Sequence, residues 1–231
     1  MRFSSLRSRD FRLLIAGQAV SLTGSSMQQV AVVWQLYLLT GSPLSLGMLG
    51  LFRVTPILLL ALGGGVAADA LDRRKLMIAS QTGMMLASLG LLAATHMGVV
   101  TPGIIYALAA LGGVASAFDP PARQALVTQL VPVDALPNAF SLYMTAYQIA
   151  AVAGPALGGA FLAWKGVEPI YLLDVISYLA VIVALLAMEH KAPTRGLSQM
   201  SAAAALEGLK FLKRSPIILS TMLLDFFATF L

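Results

Sequence analysis

Cysteine is absent from this 231-residue chain. That excludes a disulfide framework, a thiolate nucleophile and a cysteine-ligated metal, and no metal site is expected. Charge is scarce too. Asp, Glu, Lys and Arg make up 11% of the chain, against about 25% in an ordinary soluble domain. Histidine occurs twice, as His96 and His190. Both stand at the ends of apolar segments, and no Ser–His or paired-Asp constellation lies inside a segment, so an enzyme is not expected and each histidine reads as an interfacial residue. No GxxxxGK[ST] nucleotide loop is present, which argues against ATP-driven chemistry within the chain. Strict apolar–polar alternation is missing as well, which argues against a β-barrel.

What the chain does have is long apolar runs, with 58% hydrophobic residues overall. The runs cover 13–39, 44–68, 76–95, 102–118, 139–164 and 169–188, and a seventh begins near 216. A helix needs about 20 residues to cross the hydrocarbon core, and irregular backbone cannot face lipid. The expected fold is therefore an all-α membrane protein with a six-helix bundle in residues 1–190. A polar connection with an amphipathic, surface-lying helix is expected over 191–215, and the start of a seventh span over 216–231. That last run stops about 16 residues in, shorter than a comfortable span, so a truncated helix is expected there. The first run exceeds the roughly 7–15-residue core of a secretory signal, so no cleaved leader is expected.

Basic residues are distributed unevenly around these runs. Assigning the connections alternately to two sides, one side takes Arg2, Arg7, Arg9, Arg12, Arg73, Arg74, Lys75, Arg123, Lys191, Arg195, Lys210, Lys213 and Arg214. The other takes only Lys165, and Arg53 falls inside a run. Short loops rich in Lys and Arg stay cytoplasmic, so an inner-membrane protein with a cytoplasmic N-terminus is expected. The net charge of +5 lies beside membrane segments. It points to the lipid bilayer as partner, and not to nucleic acid.

Several residues inside the runs call for a reason. In the first, Gln18, Ser21, Ser25, Gln28 and Gln35 fall within one arc at 100° per residue, with Gln29 beside it. Such a stripe should face protein or water; it reads either as a water-filled substrate pathway or as interhelical hydrogen bonding. Arg53 lies deep in the second run, where insertion costs about 2.5–3.5 kcal/mol. It reads as part of the pathway, as half of an ion pair with Asp174 as partner, or as a snorkelling side chain. Asp174 and Asp225 are the intramembrane carboxyl candidates. Gly154, Pro155, Gly158 and Gly159 form a small-residue face that lets a second backbone come close, with Pro155 able to bend its helix.

The turn Gly65-Val66-Ala67-Ala68-Asp69-Ala70-Leu71-Asp72-Arg73-Arg74-Lys75 resembles the cytoplasmic signature between helices two and three of the major facilitator superfamily. The match covers Gly65, Asp69, Arg73 and Arg74. Ala70 and Asp72 depart from it, standing where the pattern has Arg and Gly. The Gly154-Pro155…Gly158-Gly159 run is similar to that family's antiporter-associated signature. The stretch Phe118 to Leu126 and the Glu207 to Phe211 region resemble the branch of enterobactin-type siderophore exporters and macrolide-efflux-like proteins.

The resemblance implies a 3+3 helical repeat forming an N-terminal half, which works against a C-terminal six-helix half. It implies a small-molecule substrate held between the halves and access that alternates as they rock. No cofactor is implied, since a proton gradient supplies the energy. The turn would act as a cytoplasmic gate, with Asp69 and Arg73 pairing at i, i+4 and Asp119 joining them. Arg123 reads as an ordinary positive-inside residue. The expected function is a proton-coupled exporter of small hydrophobic molecules of the drug or siderophore type. The alternative is a non-transporting half-length fragment or a partner-dependent membrane subunit.

Overall fold

The computed structural model describes residues 4–189 and Ser220, and only the backbone over 61–70. The chain divides into two compact units, Met1–Thr194 and Arg195–Leu231, and the helix bundle belongs to the first. The expected amphipathic helix over 201–214, the 191–215 connection and Asp225 lie outside the described residues.

After a short 3₁₀ turn, Ser4–Arg7, seven α-helices occur among the described residues: α1 (Arg9–Thr40), α2 (Pro43–Ala70), α3 (Arg73–His96), α4 (Pro102–Ser116), α5 (Asp119–Leu130), α6 (Leu136–Lys165) and α7 (Glu168–Leu186), with a second 3₁₀ turn, Val133–Ala135, leading into α6. No strand occurs among the described residues. The boundaries follow local chemistry. Ser8 caps α1 by accepting from the Phe11 amide at 3.3 Å, and Asp72 caps α3 by accepting from the amides of Arg74 and Lys75. Gly41 closes α1 with φ 61°, a left-handed conformation that favours glycine, and its N–H donates to the Tyr37 carbonyl. The α2 and α6 helices run on through Pro56 and Pro155.

Among the described residues, five stretches are long and apolar enough to cross a membrane: Pro43–Leu60, Arg73–His96, Pro102–Leu130, Val133–Lys165 and Glu168–Leu186. The 32-residue α1 is long enough, but its glutamines and serines make it more polar than these.

Two boundaries differ from the sequence expectation. Residues 119–137 are largely helical, where a longer cytoplasmic stretch is expected. α5 continues the fourth span to Leu130, after a break at Ala117–Phe118. Its prolines, Pro120 and Pro121, occupy the first turn, where no amide is needed for the helical ladder. The second difference concerns Asp69 and Arg73. α2 ends at Ala70 and α3 begins at Arg73, so the two residues sit on different helices and the i, i+4 geometry does not apply.

Packing centres on α1, which lies mainly against α6 and α7, while α3 packs on α7, α4 and α5, and α2 packs on α4. Two apolar clusters form the core. One gathers Phe11, Leu14, Met77, Leu126, Val181 and Leu185. The other gathers Met27, Leu36, Leu91, Ile105, Ile170 and Tyr171. Along α1, α3 and α7 alike, the residues between these clusters include buried polar ones: Gln18 and Ser21, then Ser80, Gln81 and Ser88, then Asp174 and Ser177. A polar layer thus crosses the bundle between two apolar ends.

Candidate functional site

Close backbone contacts set the positions of the polar layer. A Cβ on Gly17 would meet Val181 Cα at 3.2 Å, and one on Gly24 would meet Ser177 Cβ at 2.8 Å and Asp174 Oδ1 at 3.1 Å. α1 therefore lies tight on α7. On its other side, Gly158 of α6 faces the Met27 backbone and Gly154 faces Thr23 and Ser26. The small-residue face of α6 thus receives α1. A Cβ on Gly159 would meet nothing within 4 Å, and Pro155 is exposed.

The polar stripe of α1 divides into two kinds of environment. Gln35 is buried, donates from Nε2 to Thr95 Oγ1 at 3.0 Å, and accepts at Oε1 from the Tyr171 hydroxyl at 2.7 Å. Ser25 donates to Asp174 Oδ1 at 3.3 Å or to the Tyr178 oxygen at 3.0 Å. Gln18 and Ser21 are buried, and the Gln18 Nε2 has no hydrogen-bond partner among the described residues. At these positions the stripe faces protein. Gln28 and Gln29 behave differently. Gln28 donates to Ser88 Oγ at 2.8 Å, yet both glutamines also line a cavity.

That cavity has a volume of about 90 Å³, room for several waters. α2 contributes Arg53 and Leu49, α4 contributes Ile105 and Ser116, and α7 contributes Tyr178. The expected pathway residues Gln28, Gln29 and Arg53 thus meet at one place. The Arg53 backbone is pressed against α4, since a Cβ on Gly113 would meet Arg53 C at 3.3 Å and Cα at 3.6 Å. Its side chain is exposed. Asp174 is not its ion-pair partner: the ion pairs among the described residues are Arg9–Glu189, His96–Glu168 and Arg123–Asp119, and Arg53 takes part in none of them. Asp174 points instead into the α1–α7 contact, with Arg53 in electrostatic range of it and of Tyr178.

A second polar cluster joins α3, α5 and α6. Asp119 accepts from Gln81 Nε2 at 2.7 Å and from Arg123 Nε at 3.3 Å. The side chains of Arg123 and Asp119 are only 11% and 12% exposed, and the Arg123 guanidinium lies 3.9 Å over the Tyr143 ring. This corrects two expectations. Arg123 is a buried, paired and stacked residue, not a solvated positive-inside charge. Asp119 is engaged by Gln81 and Arg123 within the bundle, and among the described residues it forms no hydrogen bond or ion pair with Arg73 or Arg74. The sequence carries a signal for this pair in the i, i+4 spacing of Asp119 and Arg123.

At the turn itself, the backbone of Gly65 and Asp69 is helical. The Arg74 guanidinium donates to the Leu186 carbonyl at 3.0 Å, so it holds the last turn of α7. Arg73 Nε is buried without a hydrogen-bond partner among the described residues.

Residues 1–231 match a family model described as a transmembrane secretion effector. The chain belongs to that family, within the major facilitator superfamily. It is 26% identical to the uncharacterised MFS-type transporter YfiS of Bacillus subtilis, over 91% of this chain and 51% of the relative. It is 26% identical to macrolide efflux protein A of Streptococcus pyogenes, over 80% of this chain and 45% of the relative. It is 24% identical to the enterobactin exporter EntS of Shigella flexneri, over 90% of this chain and 51% of the relative. The chain spans about half the length of the curated relatives it matches. Its several apolar helices and this family make it a multi-pass membrane protein.

Proposed function

We propose that the chain is the N-terminal half of a proton-driven exporter of small hydrophobic molecules, of drug or siderophore type, in the cell membrane with its N-terminus cytoplasmic. One observation carries the reading. Gln28, Gln29, Arg53 and Tyr178, drawn from three helices, converge on one cavity inside the bundle. The efflux function of relatives such as macrolide efflux protein A supports the direction, as does the small-residue signature on α6, while the charge bias supports the cytoplasmic N-terminus.

In this reading the substrate sits between this half and a C-terminal six-helix half, and access alternates as the halves rock. Arg53 and the two glutamines offer hydrogen-bond donors to its polar groups, while Val32, Leu91 and Leu108 supply the apolar wall. The turn with Gly65, Asp69, Arg73 and Arg74 gates the cytoplasmic side. The Arg74 hold on α7 couples that turn to the helix carrying Asp174 and Tyr178.

The test is uptake of a macrolide into everted membrane vesicles under an imposed pH gradient, with the intact transporter. Wild type should accumulate it, and Arg53→Ala and Asp69→Asn should each lose at least about tenfold in rate, a barrier change of about 1.4 kcal/mol. Accumulation unchanged in both variants refutes the roles assigned to them. A wild type that ignores the gradient refutes the proton-driven reading.

A further inference from the structure

Asp174 is fully buried on α7, at 0% exposure. The groups around it are poorly suited to a bare carboxylate. Its Oδ1 receives Ser25 Oγ at 3.3 Å and Ser177 Oγ at 3.4 Å. Each of those hydroxyls has one proton and a closer acceptor, Ser25 the Tyr178 oxygen at 3.0 Å and Ser177 the Asp174 carbonyl at 2.7 Å. Oδ2 is buried and has no hydrogen-bond partner among the described residues. No cation stands within 4.0 Å among them. An isolated ionised carboxyl in such surroundings carries a large desolvation penalty, which a proton removes.

The charged and titratable groups facing it are few. α2 presents Arg53, and α7 itself presents Tyr178. From α1 and α3 come only the neutral Ser25 and Ser88. A path also leads out. Tyr178 lines the cavity, and its oxygen lies one hydrogen bond from Ser25, which lies one more from Asp174. Gly24 keeps this path short, because it is the residue that lets α1 close on Ser177 and Asp174.

We propose that Asp174 is a proton-binding site that exchanges its proton with the cavity through Ser25 and Tyr178. On release, the carboxyl proton passes to Ser25 Oγ, the Ser25 hydroxyl proton passes to the Tyr178 oxygen, and the Tyr178 hydroxyl proton passes to a cavity water. One carboxylate, two intact hydroxyls and a hydronium result, and uptake runs the sequence backwards. Among the described residues, Arg53 is the cation in range to balance the carboxylate. The site's role in driving transport rests on the exporter reading above; its existence does not.

Two measurements on the intact transporter separate these. The first is dicyclohexylcarbodiimide labelling followed by peptide mass spectrometry, since the reagent attacks only a protonated carboxyl. The Asp174 peptide should label at acidic pH and lose label as pH rises. The Ser25→Ala variant should label to the same extent, while the proton of its Asp174 carboxyl should exchange for deuterium at least tenfold more slowly, read from the carboxyl band by infrared spectroscopy. Absence of labelling, or protection by sodium at fixed pH, overturns the site as a proton site. The second is vesicle transport of the macrolide by Asp174→Asn. Gradient-driven uptake should fall at least tenfold while counterflow exchange stays within twofold of wild type. An Asn variant that remains gradient-driven overturns the coupling role, whereas a wild type that is not gradient-driven overturns the exporter reading and leaves the labelling to decide the site.

Discussion

Alanine at position 158 would put a methyl where the α1 backbone already stands. Its Cβ would lie 3.2 Å from Met27 Cα, 3.2 Å from Met27 O and 3.5 Å from Val30 Cβ. Two of those atoms are backbone and cannot rotate aside, so α1 or α6 has to shift. Gly159, the next residue on α6, meets nothing within 4 Å. Both substitutions gain the same helix-propensity advantage, about 0.8–1 kcal/mol. Subtracting the effect of Gly159→Ala from that of Gly158→Ala removes this shared part and leaves the overpacking, about 1–3 kcal/mol. The unfolding equilibrium should therefore differ by about 5- to 150-fold between the two variants. Reversible unfolding in mixed micelles, followed by tryptophan fluorescence, measures it, with Trp34 and Trp164 at the ends of the two helices as reporters. A difference below about 0.5 kcal/mol, the usual scatter of independent sites, would refute the claim that α6 receives α1 through Gly158.

Three other outcomes are expected. Gln35→Leu strands the buried Tyr171 hydroxyl and should destabilise by about 1–3 kcal/mol, and adding Tyr171→Phe should recover most of that in the same unfolding assay. Asp119→Ala leaves Arg123 as an unpaired charge at 11% exposure and should destabilise by about 3–5 kcal/mol; the neutral pair Asp119→Asn with Arg123→Gln should be closer to wild type in thermal unfolding. Gly113→Ala pushes directly on the Arg53 backbone, so it should raise the half-saturating macrolide concentration at least about threefold in the vesicle assay, whereas Gly50→Ala, whose Cβ meets nothing within 4 Å, should leave it unchanged.

The apolar runs and the turns are legible in the sequence because they follow from run length and from a few local residues. Gly41, Gly98 and Gly166 each take positive φ at a helix end, where the gaps between apolar runs point. The small-residue face of α6 is legible as a face, but not its partner, since nothing in Gly154 and Gly158 names α1. The Asp119–Arg123 pair escapes a sequence reading because a charge beside two prolines looks like loop. Proline is harmless in a first helical turn, so the fourth span simply continues. The Asp69–Arg73 spacing misleads for the opposite reason. Four residues apart means one face only if the helix is unbroken, and Asp72 caps a new one. The polar stripe of α1 cannot be divided from sequence, because Gln28 and Gln35 are the same residue seven positions apart. Only the neighbours decide: Thr95 and Tyr171 enclose Gln35, while Gln28 opens on the cavity.

The same neighbours explain why so polar a helix as α1 sits where it does. Gly17 and Gly24 bring its backbone onto α7, and Gly154 and Gly158 bring α6 onto its other side. Glycine-mediated contact supplies dispersion over a long seam without needing apolar side chains. α1 can therefore carry Gln18, Ser21, Ser25, Gln28 and Gln35 and still be held in the bundle. The consequence reaches Asp174. A bulky residue at position 24 would part α1 from α7, and Ser25 would leave the carboxyl it bonds. Close packing and the polar layer are thus one arrangement, since the glycines that fix the helix also fix the distances along which a proton would travel.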